Sequence, residues 1–225
     1  IYTRPQDNLA SFAFSPWDEK KVYFVNANRS EILVKDLSAS SSPETVIYTF
    51  DTLVRDIAFN STGTFFFSEA TGAAGTGKIW RWEKDGGVSL FYTVNLSTVD
   101  GFWSGDFAFD SEDTLYLSSG NRVPASIYRV DVLADTVTRV YTDTTEPIAG
   151  MVFLEENLLY YANWGTKIYR LNLEDGDRAV MYHNPSHKWL SDVAFPVPEI
   201  LPTDAEGTWI MPYGIGGTRL DQIDP

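Results

Sequence analysis

The sequence has no cysteine and only two histidines, His183 and His187. The first absence excludes disulfides, thiolate metal sites and cysteine nucleophiles. No run of about 18 apolar residues occurs, so no segment reads as a membrane-crossing helix. Basic residues are few: 17 Lys and Arg stand against 31 Asp and Glu, for a net charge of −14. Nucleic acids and anionic membrane surfaces are bound through Lys and Arg, so neither is expected as a partner. There is no Gly-Lys-Ser/Thr ending that would mark a phosphate loop. A Gly-x-Ser-x-Gly nucleophile elbow is missing as well.

Aromatic residues, by contrast, make up 15% of the 225 residues. Tyr, Phe and Trp favour pleated, half-buried surfaces, which points to an all-β chain. The stretch 105–117, GDFAFDSEDTLYL, shows how they are used. A short apolar strand centred on Ala is followed by a polar turn and a second strand of alternating pattern. Related stretches place a Phe at Phe14, Phe59, Phe109, Phe153 and Phe195, spaced by 45, 50, 44 and 42 residues. The second strands are expected at 22–26, 65–69, 115–119, 159–163 and 209–213. Third strands begin near Ile32, Ile79, Ile127, Ile168 and Leu220. Fourth strands centre on Tyr48, Tyr92, Tyr141 and Tyr182.

The fifth repeat ends before its fourth strand, but Ile1-Tyr2-Thr3 supplies a matching one at the other terminus. Four strands in every 40–45 residues is the blade of a β-propeller. The expected fold is therefore a single β-propeller domain over residues 1–225. It has five four-stranded blades, and the N-terminal strand Ile1–Thr3 completes the last. The repeats run over 8–50, 54–94, 104–143, 148–184 and 190–225 with 1–5. Borrowing a strand from the far terminus leaves fewer exposed sheet edges. The repeated Phe and Tyr are read as packing residues between blades. The connection from Leu220 to Tyr2 is shorter than in other repeats, which suggests a longer natural protein.

The strings DFAFDSEDTLYLSS and DIAFNSTGTFFFSE resemble repeats of the NHL and gluconolactonase-like propeller superfamily. Most members of that superfamily have six blades. The resemblance implies a propeller fold, and for gluconolactonase-like members a divalent metal held by Glu, Asn and Asp at one end of the axis. Their Asn-Gly step before an inner strand is replaced here by Arg55-Asp56, Gly105-Asp106, Ala149-Gly150 and Ser191-Asp192.

In such a blade the outer-to-inner and second-to-third connections share one face. Two long insertions fall there, 70–77 and 94–104, and binding residues concentrate on loops carried by a rigid scaffold. Two rings of positions line the axis at that face. Oxygen ligands converging there suit Ca²⁺, and the candidates are Asp56, Asp106, Asp192, Glu69, Asn26 and Asn163. The alternative is that these Asp side chains accept hydrogen bonds from neighbouring backbone N–H groups. His183, His187 and Glu69 are the candidate catalytic groups, as a general base or metal ligand. Trp103, Trp164 and Trp189, with Asn121, Arg122 and Arg55, are candidates for ligand contact, offering stacking surfaces and directional hydrogen bonds.

Two functional readings follow. One is a monomeric extracellular, periplasmic or cell-surface binding module that recognises a carbohydrate, peptide or protein on the loop face. The start at Ile1 rather than Met is compatible with a removed signal peptide. The other is a metal-dependent hydrolase of the lactonase or esterase kind, or a lyase, working at the mouth of the central channel.

Overall fold

The computed structural model describes residues 2–4, 9–18, 20–26, 30–38, 43–69, 76–83, 87–95, 99, 106–120, 122–155, 157–186, 190–194, 208–212 and 218–223. Side chains are described for all of these except 2–4, 9, 76, 155, 191, 208–212 and 218–223. Strand β1 is Tyr2–Arg4. The first blade follows as β2 (Leu9–Phe14), β3 (Lys21–Asn26), β4 (Glu31–Asp36) and β5 (Glu44–Thr49). The second is β6 (Val54–Phe59), β7 (Phe65–Glu69), β8 (Thr76–Glu83) and β9 (Gly87–Asn95). The third is β10 (Phe107–Phe109), β11 (Leu115–Ser118), β12 (Ala125–Asp131) and β13 (Thr136–Asp143). The fourth is β14 (Ala149–Glu155), β15 (Leu158–Ala162), β16 (Lys167–Asn172) and β17 (Arg178–His183). Three strands remain: β18 (Leu190–Ala194), β19 (Thr208–Pro212) and β20 (Thr218–Ile223). They pair with β1 in the order β18-β19-β20-β1, and all pairings are antiparallel.

The expectation of five like blades is corrected: four blades, not five, repeat the unit of four consecutive strands. In each of the four, the fourth-strand Tyr lies opposite the third-strand Ile: Tyr48 with Ile32, Tyr92 with Ile79, Tyr141 with Ile127 and Tyr182 with Ile168. The register slips immediately after that Ile every time, a bulge that strengthens local twist. The remaining sheet is a composite of both chain ends. Tyr2 faces Leu220 there, but the strand is Tyr2–Arg4 rather than Ile1–Thr3, and it makes three residue pairs without a slip. The difference has a physical cause. Four blades are built from successive local hairpins, whereas the composite joins segments far apart in sequence, and its outer edge is correspondingly short.

Five apolar clusters lie between successive sheets. Ala194 of the composite packs on Phe12, Phe14 and Phe24 of the first blade, while Leu190 and Val193 pack on Ala162 and Ile168 of the fourth. Second strands feed two clusters at once, because alternate side chains leave opposite faces of a sheet. In β11, Leu115 and Leu117 join Phe66 of the second blade, and Tyr116 joins Tyr161 of the fourth. With both faces covered, such strands read as nearly continuous apolar runs.

The Ala at the centre of the repeated motif has a steric reason. Ala13, Ala58 and Ala108 lie directly opposite Tyr23, Phe66 and Tyr116 on the second strand. The motif Phe of the next blade packs on that ring: Phe59 on Tyr23 at 5.3 Å, Phe109 on Phe66 at 4.6 Å and Phe153 on Tyr116 at 4.7 Å. A larger residue at the Ala would compete for space with the aromatic pair. Phe195 lies outside the described residues.

Candidate functional site

The ring of polar residues at the start of the inner strands is shaped by bulges. Register slips between Leu9 and Phe12 in β2 and between Val54 and Ile57 in β6, so Ser11 and Asp56 have no cross-strand partner. A bulge re-aims side chains away from the sheet normal. Both side chains run along the ring instead. Asp56 Oδ1 accepts Ser11 Oγ–H at 2.6 Å and its own neighbour's Ile57 N–H at 2.9 Å, while Oδ2 accepts Phe107 N–H at 2.8 Å. Asp192 Oδ2 accepts Phe12 N–H at 2.9 Å, and Oδ1 accepts Val193 N–H at 2.8 Å. Three junctions, β18 to β2, β2 to β6 and β6 to β10, are therefore bridged by a carboxylate. In β14 the ring position is Gly150, at φ 34°, which offers no side chain. Here Ser118 Oγ bridges Asp106 Oδ2 at 3.4 Å and the Ile148 carbonyl at 3.2 Å.

Burial pushes the Asp192 carboxyl up to about 7, against the pull of the Phe12 and Val193 N–H groups, with Asp106 adding to the rise. Burial likewise holds Asp56 well above the ordinary carboxylate range, with Asp192 and Asp106 contributing as like charges. A calcium site needs six to eight converging oxygens, mostly from ionised ligands. Among the described residues, no group of three or more His, Cys, Asp or Glu is placed to hold a metal ion. The ring acids do not fit such an ion: they are spread over separate strands, serve N–H donors and are driven toward the neutral form.

The other ligand candidates are placed apart. Glu69 Oε2 accepts Trp80 Nε1–H at 2.8 Å and lies 3.8 Å from Lys78 Nζ, within its own blade. Asn26 is fully buried between Leu9 and Glu31 in register. Asn163 shapes its turn by accepting Gly165 and Lys167 N–H at 3.0 Å, and it donates from Nδ2 to Glu146 Oε2 at 3.0 Å.

A second polar cluster joins the third and fourth blades on the same face. Asp143, at the end of β13, accepts Thr145 N–H, Thr145 Oγ1–H and Glu146 N–H on Oδ1, and Tyr161 O–H at 2.9 Å on Oδ2. Arg178 at the start of β17 completes it as an ion pair with Oδ2. Beside it, Glu146 Oε1 accepts Lys167 Nζ and Tyr169 O–H, both at 2.8 Å. The Arg178 guanidinium covers the Tyr169 ring at 4.6 Å. Burial works against ionisation of both acids, but the donors to Asp143, and Lys167, Tyr169 and Asn163 around Glu146, outweigh it and hold both below their ordinary range. Sequence reasoning missed Asp143, Tyr161 and Arg178. The only signal available was an Asp two residues beyond the repeat Tyr141.

Arg55 is half-buried, and its Nε is buried with no hydrogen-bond partner among the described residues; Glu31 Oε2, on the same face, is in the same state. Arg122 is exposed, and Trp164 is half-buried in a turn at φ 52°. His183 is exposed at the end of β17, opposite Lys167. His187, Trp103, Trp189 and Asn121 lie outside the described residues.

The axis itself holds a cavity of about 590 Å³. It runs from Asp192 at the ring to Pro16, Asn60, Ser61, Asp110 and Ser111 in the first-to-second-strand turns. Among the described residues, its lining reaches the face opposite the long loops. Turns of neighbouring blades are tied together there: Asp113 Oδ1 accepts Ser61 N–H at 2.7 Å, and Oδ2 accepts Asn60 Nδ2–H at 3.1 Å.

Residues 10–189 match the model of a repeat family described as "Repeat of unknown function (DUF6923)". The chain belongs to that family. No curated protein matches it in sequence. Solved structures share the fold at low identity. A chain of a nidogen/laminin complex is 15% identical, with a TM-score of 0.62 over 98% of this chain and 80% of that one. A structure of a putative gluconolactonase is 14% identical, with a TM-score of 0.64 over 99% and 78%. Regucalcin from Agrobacterium tumefaciens strain C58, a calcium-binding protein, is 15% identical, with a TM-score of 0.60 over 92% and 83%. The fold is thus shared with a chain of a protein complex, a putative gluconolactonase and a calcium-binding protein.

Proposed function

We propose that this propeller is a secreted or surface-exposed binding module that engages an acidic protein or peptide on its loop face, with Arg55 as the anchor. One observation carries the reading: Arg55 Nε is buried on that face with no partner among the described residues. A planar guanidinium presents a fork that a carboxylate can fill with two charge-assisted hydrogen bonds. Leaving a buried donor unmade costs about 1–3 kcal/mol, so a turn of the half-buried side chain that brings Nε to a ligand carboxylate is favoured. Glu31 Oε2, also buried and without a partner among the described residues, offers an acceptor on the same face for a ligand N–H. The ring carboxylates are engaged in bridging strands, which favours binding over a metal-dependent hydrolysis.

The test is an array of Asp- and Glu-containing peptides beside their Asn and Gln counterparts, probed with the intact chain. Selective capture of acidic peptides, lost in Arg55→Ala and weakened in Arg55→Lys, is expected. Calcium-dependent turnover of a lactone series, or capture indifferent to Arg55, would reject the reading.

A further inference from the structure

The axial cavity lies on the face opposite Arg55 and has a chemistry of its own. We infer that it is a ligand site for a small amphiphilic cation, an aromatic or aliphatic body carrying a primary amine. Its volume, about 590 Å³, falls inside the range of small-molecule sites, roughly 300–1,000 Å³. Its wall is made of inner-strand side chains such as Phe12, Ile57, Phe109, Met151 and Val193, which favour an apolar body.

Both ends carry a carboxyl side chain, and an ammonium seated at Asp192 would draw that buried group toward its ionised form. At the inner end each Asp192 oxygen accepts one backbone N–H, with the Ser11 hydroxyl as a further hydrogen-bonding neighbour and one acceptor position left over. At the mouth stands Asp110, with Asp113 in the same turn. Among the described residues no Lys or Arg lines the cavity. An anion of the same shape would meet carboxylates at both ends, whereas an ammonium needs only the one acceptor position that Asp192 retains. This differs from the demand of a divalent ion, which the ring does not meet.

The experiment is calorimetric titration of the intact chain with 4-phenylbutylamine, 4-phenylbutanol and 4-phenylbutyrate, which share a body and differ in head group. The amine is expected to bind about tenfold more tightly than the acid, or better, with the alcohol between, as charge interaction in a partly buried site dictates. Ser111 is exposed at the mouth, so Ser111→Trp should obstruct entry and abolish binding while leaving the fold intact. Asp192→Asn should reduce the amine to the affinity of the alcohol, and Leu133→Ala, at an exposed turn, should leave the amine affinity unchanged. Equal binding of amine and acid, no binding of any of the three, or binding that survives Ser111→Trp would each overturn the inference. Should Asp192→Asn fail to fold, the head-group series and Ser111→Trp still decide it.

Discussion

The Asp56 carboxylate on β6 accepts the backbone N–H of Phe107 on β10 at 2.8 Å, so one side chain fastens two blades at their inner edge. Its other oxygen takes Ser11 Oγ–H at 2.6 Å from the blade before. Truncation would strand a buried N–H and a buried hydroxyl, each costing about 1–3 kcal/mol. Asp56→Ala should therefore lose roughly 2–6 kcal/mol of stability in urea unfolding. If Asp56 were a calcium ligand instead, added calcium would raise the melting temperature of the native chain and not of the variant. No shift with calcium or chelator is the expected outcome.

Stability should also depend on pH through the ring. An unfolded Asp ionises near pH 4, whereas Asp192 does so only at about 7. Between those values the folded protein holds a proton that the unfolded chain has lost, so stability declines as pH rises through the window and levels above it. Asp56, shifted in the same direction, adds to the decline. Urea midpoints from pH 4 to 8 should show this slope, and Asp192→Asn, which cannot ionise, should flatten it. A slope unchanged in the variant would remove Asp192 as its source.

Much of the architecture was legible because packing in a propeller is local and periodic. Phe59, Phe109 and Phe153 recur since each must meet the aromatic ring of the preceding blade, and Ala58 and Ala108 recur since they face that ring. The composite sheet was harder to grade, because matching Tyr2 to the repeat Tyr says nothing about how many pairs follow. That Asp56 and Asp192 accept backbone N–H groups was one of the two readings the sequence offered. Which strands they tie was not legible: Asp56 falls in a bulge that turns its side chain along the ring, and a bulge leaves no fixed residue signature. The cluster around Asp143 was hidden for another reason: its partners Tyr161 and Arg178 come from other strands, 18 and 35 residues away. The cavity mouth depends on the bore left by inner strands, which no single repeat encodes.

Arg178 latches the fourth blade to the third through Asp143, whose side chain is only 2% exposed. Removing one member of a buried ion pair leaves a desolvated charge, a loss of about 3–5 kcal/mol when nothing else compensates. Four hydrogen bonds to Asp143 remain from Thr145, Glu146 and Tyr161. Arg178→Ala should consequently cost less, about 1–3 kcal/mol. The lowered pKa of Asp143 gives the opposite pH sign to the ring: its contribution is full above the unfolded Asp range and fades as pH falls below about 4. The acid limb of the stability profile should thus be shallower in Arg178→Ala than in the native chain. Equal acid limbs would mean that the ion pair does not hold Asp143 ionised.

The pairing of Ala with an aromatic ring predicts a contrast at adjacent residues. Phe109 is 8% exposed and fills the space beside Phe66, with Phe91 and Phe107 around it. Phe109→Ala leaves a cavity and should cost about 3–5 kcal/mol. Ala108→Leu does the reverse, forcing extra methylenes against Tyr116, whose ring already holds Phe153 at 4.7 Å. Overpacking of that kind costs roughly 1–3 kcal/mol. Leu133, 100% exposed at a turn, is the control, and Leu133→Ala should stay within about 0.5 kcal/mol. Urea unfolding of the three variants checks the order. If Ala108→Leu proves neutral, the Ala of the repeated motif is not set by the ring opposite it, and the steric account of the repeat fails at its centre.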